Sequence, residues 1–279
     1  MGLLSIFKQS KTLYFPGCVT YFKFKTNFEI YKKIFNKLGI DFKIADEKIC
    51  CGLPALEGGY ELEARKLAKK NFEIFKNQGI KSIITNSPCC YRMFNDYKKI
   101  LFEWDIEIKN IWNIILTKLK ENPELIKNKI EDTIFYQDSC YLSRYHDIYN
   151  EPREILRLIG CEIKEIDETK KENLCCGSCG GLTITNPKLA DDIAKERLKQ
   201  IKRTNTKNVV VSSLSDYELL KKNSKDFDIK IWEFSEVLAL ALGIFKEKNL
   251  KEMIEKEERE EENRIISEVK EKIEIEKNE

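Results

Sequence analysis

Two vicinal cysteine pairs, Cys50-Cys51 and Cys175-Cys176, each followed by a glycine (Gly52, Gly177), carry the clearest chemistry in this 279-residue chain. A lone cysteine precedes each pair, Cys18 and Cys140, and Cys89-Cys90 and Cys179 follow. Thiolates are the ligands of iron–sulfur clusters, and a cluster takes about four. The pattern reads as two iron–sulfur cradles made by duplication, with ligands drawn from separate loops, because the tight C-x2-C-x2-C run of a ferredoxin is absent. Zinc on the same thiols, reduced structural cysteines without metal, and a vicinal disulfide switch are the competing readings; zinc sites usually show paired C-x2-4-C knuckles. Neighbouring side chains in an extended strand point to opposite faces, so both cysteines of a pair reach one cluster only if the backbone turns. Gly52 and Gly177 permit that turn and let backbone N–H groups approach the sulfurs. Cys161 has no counterpart in the other half and reads as a small buried hydrophobe. His146, the sole histidine, reads as a surface or structural residue.

Composition sets the frame. The chain is 42% hydrophobic and 34% charged with a net charge of +2, its acidic and basic residues interleaved. Nucleic-acid binding would call for a basic face, and no such block occurs. No run of 18 apolar residues is present, so no membrane span is expected. Residues 1–11 lack a cleavage-site pattern and are not expected to be a signal peptide. The expected location is therefore the cytoplasm, where ten cysteines lean toward metal or redox chemistry rather than structural disulfides.

The elements that must position these thiols alternate strand and helix. Predicted strands cover residues 12–17, 42–44, 82–85, 106–108, 132–137, 161–166, 208–211 and 229–232. Predicted helices cover 28–39, a long stretch from Gly58-Gly59 to about Asn77, 112–119, 152–159, 187–202 and a last one ending at Gly243. Asn186-Pro187 is a good helix start, cap then proline. Ala64, Ala68, Phe72 and Phe75 recur 126 residues later as Ala190, Ala194, Leu198 and Ile201, and Tyr91 recurs as Tyr217 at the same interval. This is an internal repeat. The predicted fold is α/β: two tandem duplicated lobes with parallel sheets, the cysteine loops at the carboxyl ends of strands, and a charged C-terminal helix. The expected division is 12–122, 123–243 and a tail, 244–279, with a thin apolar stripe of Ile265, Ile266, Val269 and Ile273. The tail reads as a solvated helix or as a partner-binding one.

The whole constellation resembles the CCG cysteine-rich domain family, in which the motif C…CC…C-x2-C occurs twice. Heterodisulfide reductase catalytic subunits carry it, as do the iron–sulfur subunits of glycolate oxidase and anaerobic glycerol-3-phosphate dehydrogenase. Pro16-Gly17-Cys18, Cys50-Cys51-Gly52, Pro88 with Cys90-Tyr91-Arg92, Asp138 with Cys140, and Cys175-Cys176-Gly177 with Gly180-Gly181 carry the likeness, which is nearest the D-type subunit. The family's C-x2-C falls on Ser87 and Cys90 in the first half and on Ser213 and Asp216 in the second, so three thiols are missing. The full motif is implied to hold a noncubane cluster on five cysteines. With the set reduced, each half is expected to hold a four-thiolate [4Fe–4S] cluster, on Cys18, Cys50, Cys51 and Cys90 and on Cys140, Cys175, Cys176 and Cys179. Cys89 and Asp216 are additional candidate ligands.

The resemblance implies an iron–sulfur oxidoreductase subunit of heterodisulfide-reductase type, moving electrons between a partner protein and a disulfide or similar acceptor. An electron-transfer subunit of a flavoprotein 2-hydroxy acid dehydrogenase is the alternative within that class. A non-catalytic cluster-binding sensor or scaffold is the alternative outside it. The N-terminal ferredoxin domain of many relatives is absent from this sequence, so a flavoprotein or ferredoxin-type redox partner in a hetero-oligomer is expected to supply electrons.

Overall fold

In a computed structural model, residues 10–44 and 49–278 are described, with side chains to residue 267. The expectations for residues 1–9 and for the side chains of Val269 and Ile273 lie outside that set.

The first half runs β1 (Thr12–Tyr14), α1 (Lys25–Lys37), β2 (Lys43–Ile44), α2 (Leu53–Glu57), α3 (Glu61–Asn77), β3 (Ser82–Ile84), α4 (Pro88–Ile100), β4 (Glu107–Ile108) and α5 (Ile111–Glu121). The second runs β5 (Thr133–Gln137), α6 (Cys140–His146), α7 (Asn150–Leu158), β6 (Glu162–Lys164), α8 (Leu182–Thr185), α9 (Pro187–Lys202), β7 (Asn208–Val211), α10 (Leu214–Asn223), β8 (Lys230–Glu233) and α11 (Phe234–Ala241). A long helix, α12 (Glu247–Asn278), follows. All pairings are parallel, and the two sheets have equivalent orders, β2-β1-β3-β4 and β6-β5-β7-β8.

Alternation along the central strands sorts their side chains into layers. Leu13, Phe15 and Ile83 pack against α3 and α4, while Phe135, Val209 and Val211 pack against α9 and α10. Tyr14, Ile84, Ile134, Tyr136 and Val210 face the opposite way, into one core shared by α1, α5, α7 and α11. The two sheets thus sandwich a common helical layer. The repeated ladder accounts for the outer layers: Ala64, Ala68 and Phe75, and Ala190, Ala194, Leu198 and Ile201, are fully buried, with Phe72 nearly so. Small residues at two successive turns let each long helix approach its sheet closely.

Local chemistry sets the helix starts. Asn186 accepts from the Leu189 N–H at 3.1 Å ahead of Pro187, as expected. Asn110 caps α5 through the N–H groups of Trp112 and Asn113, and Glu233 with Glu236 forms a capping box on α11. Three differences from the sequence reading have physical causes. The first strand stops at Tyr14, because Pro16 has no N–H to extend a ladder. The stretches after β3 and β7 are not loops: Cys89 and Cys90 lie in the first turn of α4, and Asp216 in that of α10. A short helix, α2, precedes the two glycines, so the long helix begins at Glu61.

Equivalent polar bonds brace each sheet near its cysteine edge. The Tyr14 hydroxyl donates to Asn86 Oδ1 at 2.9 Å, and Tyr136 and Ser212 are joined hydroxyl to hydroxyl at 2.9 Å. In the second half a buried ion pair adds to this. Both Nη atoms of Arg153 reach the Asp138 carboxylate at 2.6 Å, with both side chains 1% exposed. Asp138 also accepts the Lys170 N–H at 2.8 Å, tying the strand end before Cys140 to the segment before Cys175. Removing Asp138 leaves the buried guanidinium with Glu165, at 2.5 Å but 31% exposed, as its one remaining carboxylate. Asp138→Ala is expected to lower stability by about 3–5 kcal/mol, read as a shift in the urea midpoint; a change below about 1 kcal/mol would show that the pair does not brace the lobe.

Candidate metal centre

In each sheet the strand order reverses beside the first strand, and loops leaving the two flanking strand ends open toward one crevice. Cys18 lies just past β1, and Cys89 and Cys90 just past β3. A Cβ placed on Gly17 would come 3.0 Å from Cys90 Sγ, so these loops touch. The third loop, before α2, brings Cys50 and Cys51. The Cys51 thiol shares hydrogen bonds with both Cys50 and Cys90, and exposed Cys18 lies beside Cys50. Cys50, Cys51 and Cys90 are thus neighbours with exposed Cys18 near them, but no three of these sulfurs reach the mutual 4.8 Å spacing of the second-half trio.

The vicinal pair turns as its chemistry requires. Gly52 has φ +90° and Gly177 φ +95°, both in the left-handed region. Each turn points a backbone N–H back at a sulfur: Gly52 N to Cys50 Sγ at 3.4 Å, Gly177 N to Cys175 Sγ at 3.3 Å. Such bonds stabilise a thiolate, and around a bound cluster they tune its potential. The carbonyls of the first pair are also held. Asn71 Nδ2 donates to Cys50 O and the Tyr97 hydroxyl to Cys51 O, both at 2.8 Å.

In the second half the sulfurs of Cys140, Cys175 and Cys179 all lie within 4.8 Å of one another, the one such trio among the described residues. The neighbouring thiols of Cys140, Cys176 and Cys179, with the Gly177 N–H, pull the Cys175 thiol well below the ordinary range. The reciprocal interaction with Cys175, with burial, pushes Cys140 up to about 12. Cys176 stands outside the trio and donates to Asp216 Oδ1 at 3.4 Å. Ser178 donates to the same oxygen. Asp216 is 2% exposed, and burial raises its carboxyl to about 7 against the hydrogen bonds it accepts. Asn173 and Arg197 hold the loop from behind: Asn173 Oδ1 accepts from Cys140 Sγ at 3.7 Å, and Arg197 Nε donates to Gln137 at 2.7 Å, whose amide reaches Leu174 O.

The two cradles face one another. Half-buried Cys89 feels the charge of Cys51 and Cys18 on its own side and of Asp216 on the other. Tyr141, the residue after Cys140, donates to the carboxylate of Glu57 at 2.9 Å and accepts the Gly180 N–H at 3.4 Å. Arg92, one turn along from Cys89, closes this seam with a 2.8 Å bond to Glu57 while lying over the ring of Tyr145. Sequence reasoning missed Glu57, Asn71, Tyr97, Tyr141 and Asn173. Only Tyr141 left a signal, since Cys140-Tyr141 echoes Cys90-Tyr91. The remaining expectations fall outside the cradles. Cys161 is 5% exposed within the shared hydrophobic core. His146 packs edge-on against Tyr91, and its buried Nε2 has no hydrogen-bond partner among the described residues.

Paired α/β lobes whose crevices each gather thiols, with backbone N–H groups aimed at sulfur, define a thiolate metal-centre protein. The chain belongs to the CCG cysteine-rich domain family, which it matches over residues 12–95 and 134–215. It is 29% identical over 245 residues to the D-type subunit of the dihydromethanophenazine:CoB--CoM heterodisulfide reductase of Methanosarcina barkeri, a match covering 83% of this chain and 59% of that protein. It is 30% identical over 219 residues to the probable iron-sulfur-binding oxidoreductase FadF of Bacillus subtilis, covering 75% of this chain and 30% of that protein. The fold is shared with a hypothetical protein from Helicobacter pylori, at TM-score 0.58 and 13% identity over 86% of this chain and 50% of that one. The thiol-rich donor sets fit iron–sulfur clusters, the cofactor these likenesses support. No helix among the described residues is long and apolar enough to cross a membrane.

The two turn glycines differ in what surrounds them. A Cβ on Gly52 would meet nothing nearer than 3.5 Å, whereas one on Gly177 would lie 2.7 Å from the Ala190 carbonyl oxygen. Gly52→Ala is expected to cost about 1–2 kcal/mol, the left-handed penalty alone. Gly177→Ala is expected to cost about 1–3 kcal/mol more through overpacking, which thermal denaturation of the two variants would measure; equal losses would count against this placement of the second loop.

Proposed function

We propose that the chain is an iron–sulfur oxidoreductase subunit of heterodisulfide-reductase type, built as two units, 12–122 and 123–243, with an appended helical segment from 244. The observation that carries the reading is the juxtaposition of two thiol cradles across one seam, with Cys89 and Tyr141 between them. Two adjacent redox centres suit a reaction that consumes two electrons. In the net step the S–S bond of a disulfide breaks, two electrons arrive from a redox partner protein, two protons come from solvent, and two thiols leave. Clusters held in the cradles would supply the electron storage for that step.

The residues of the chain do the rest. Cys18, Cys50, Cys51 and Cys90 would hold the first centre. Cys140, Cys175 and Cys179, with Cys176 behind them, would hold the second. The Gly52 and Gly177 amides would set potential by donating to sulfur, and the Tyr141–Glu57–Arg92 seam would fix the spacing between the halves. Exposed Cys18 leaves the first centre open to a partner or substrate, in keeping with a subunit rather than a self-sufficient enzyme. The chain spans 59% and 30% of the two named relatives' lengths, so the remainder of those proteins marks functions that another segment or subunit would provide.

Iron and sulfide quantitation on anaerobically prepared protein tests the reading. Fewer than about three irons per chain rejects two clusters. Cys51→Ala should bleach the first centre and Cys175→Ala the second, whereas Cys161→Ala should leave iron content unchanged. Dithionite-reduced protein should then be reoxidised by an added low-molecular-weight disulfide; a chain that stays reduced is not of disulfide-reductase type.

A further inference from the structure

The two lobes follow one plan, and their own spacing puts Asp216 where Cys90 stands. The two residues are 126 apart, the interval that also relates Ala64 to Ala190 and Tyr91 to Tyr217. Each lies in the first turn of the helix that follows the equivalent strand, α4 after β3 and α10 after β7. Each takes the same partner, the second cysteine of the vicinal pair: Cys51 bonds to Cys90, and Cys176 donates to Asp216 at 3.4 Å. The serine three residues upstream also keeps its place. Ser87 and Ser213 are the N-cap residues of α4 and α10, and Ser87 Oγ accepts the Cys90 N–H.

The surroundings of Asp216 differ from those of the other buried carboxyls in what donates to it. A buried carboxyl in this interior is held either by a cation, as Arg153 holds Asp138, or by neutral donors, as Tyr31 and Ser235 hold Glu233. Asp216, at 2% exposure, is of the second kind, accepting from the Ser178 hydroxyl and the Cys176 thiol. One of its donors is a thiol of the cradle itself: Cys176, adjacent in sequence to Cys175 of the Cys140, Cys175 and Cys179 trio. The carboxyl thus stands at the edge of a thiol-rich donor set, at the place where the repeat puts a thiol in the first half.

We propose that Asp216 ligates iron in the second cradle through a carboxylate oxygen, in the position Cys90 holds in the first. The inference rests on the iron–sulfur reading above and adds a chemical difference between the two centres. A carboxylate is a hard ligand and a thiolate a soft one, so the centres differ in donor set and therefore in potential. The duplication then has produced two unequal sites, and electrons passing through the chain meet a step between them.

The full chain, reconstituted anaerobically, is compared with Asp216→Ala, Asp216→Asn and Asp216→Cys by iron count, EPR and potentiometry. The Ala and Asn variants should lose iron from the second cradle, about one of the four irons of a cubane cluster, with an altered EPR signature while the first centre's signal persists. Asp216→Cys should keep full iron content and shift the midpoint potential of one centre only. Should the Ala variant fail to fold, the near-isosteric Asn and Cys variants decide alone. Iron content, EPR and both potentials unchanged across the variants overturn the ligand, and loss of that iron in Cys176→Ala instead assigns the position to sulfur. A wild-type chain that takes up no iron overturns the cluster reading itself, a result distinct from a loaded chain indifferent to Asp216.

Discussion

The structure depends on holding together sulfur atoms that the chain supplies from far apart, though ionised thiols repel. No single loop does this: even the 175–179 loop, with three cysteines, needs Cys140 from past β5. The solution is a rigid sheet edge: β1 and β3, like β5 and β7, are hydrogen-bonded neighbours, so residues just past their ends are neighbours too. The third contribution, the vicinal pair, needs no strand of its own. It is anchored through backbone carbonyls by Asn71 and Tyr97, groups from two helices that are themselves bonded at 2.8 Å. Helix packing is thereby converted into ligand placement.

Sharing one helical layer between two sheets has a second consequence. Because α1, α5, α7 and α11 fill a single core, neither lobe can rotate without opening it, and the cysteine edges stay opposed. Polar contacts across the layer reinforce this. The Tyr31 hydroxyl donates to buried Glu233 at 2.7 Å, linking α1 to the cap of α11. Burial raises the Glu233 carboxyl, and the donors around it oppose that rise. The seam at Tyr141 and Glu57 is the counterpart of this contact on the side where the chemistry lies.

Much of this architecture was legible because duplication preserves spacing when residues drift. Ala64 and Ala190 keep their size, Phe75 and Ile201 do not, yet both rungs are buried, since the requirement is a volume at a fixed turn of a helix. The turn at Gly52 and Gly177 was equally readable, because two adjacent ligands on one cluster leave the backbone few options. The helices that start at Pro88 and Leu214 were less so. Ser87-Pro88 is a cap followed by proline, the same signal that marks the start of α9, but the cysteines drew it toward a loop. The anchoring groups were not legible at all. Asn71 and Asn173 look like ordinary surface polar residues until the fold brings a carbonyl or a thiol against them.

The C-terminal helix shows why composition alone misjudges a segment. Its sequence is dominated by Glu and Lys, yet Leu250 is fully buried in the shared core and Ile254 packs beside it. Farther along, Glu257 accepts the Thr26 N–H at 3.0 Å from the first lobe, and Glu258 pairs with Lys221 of the second. One face of a largely charged helix therefore reaches both lobes at once, along the layer they share. Surface ion pairs of this sort contribute little individually, so the apolar contacts near Leu250 must supply the attachment while the charges fix its direction. Beyond them Ile265 and Ile266 are 48% and 45% exposed, so the anchoring fades along the helix. The helix is thus part of what keeps the lobes in register.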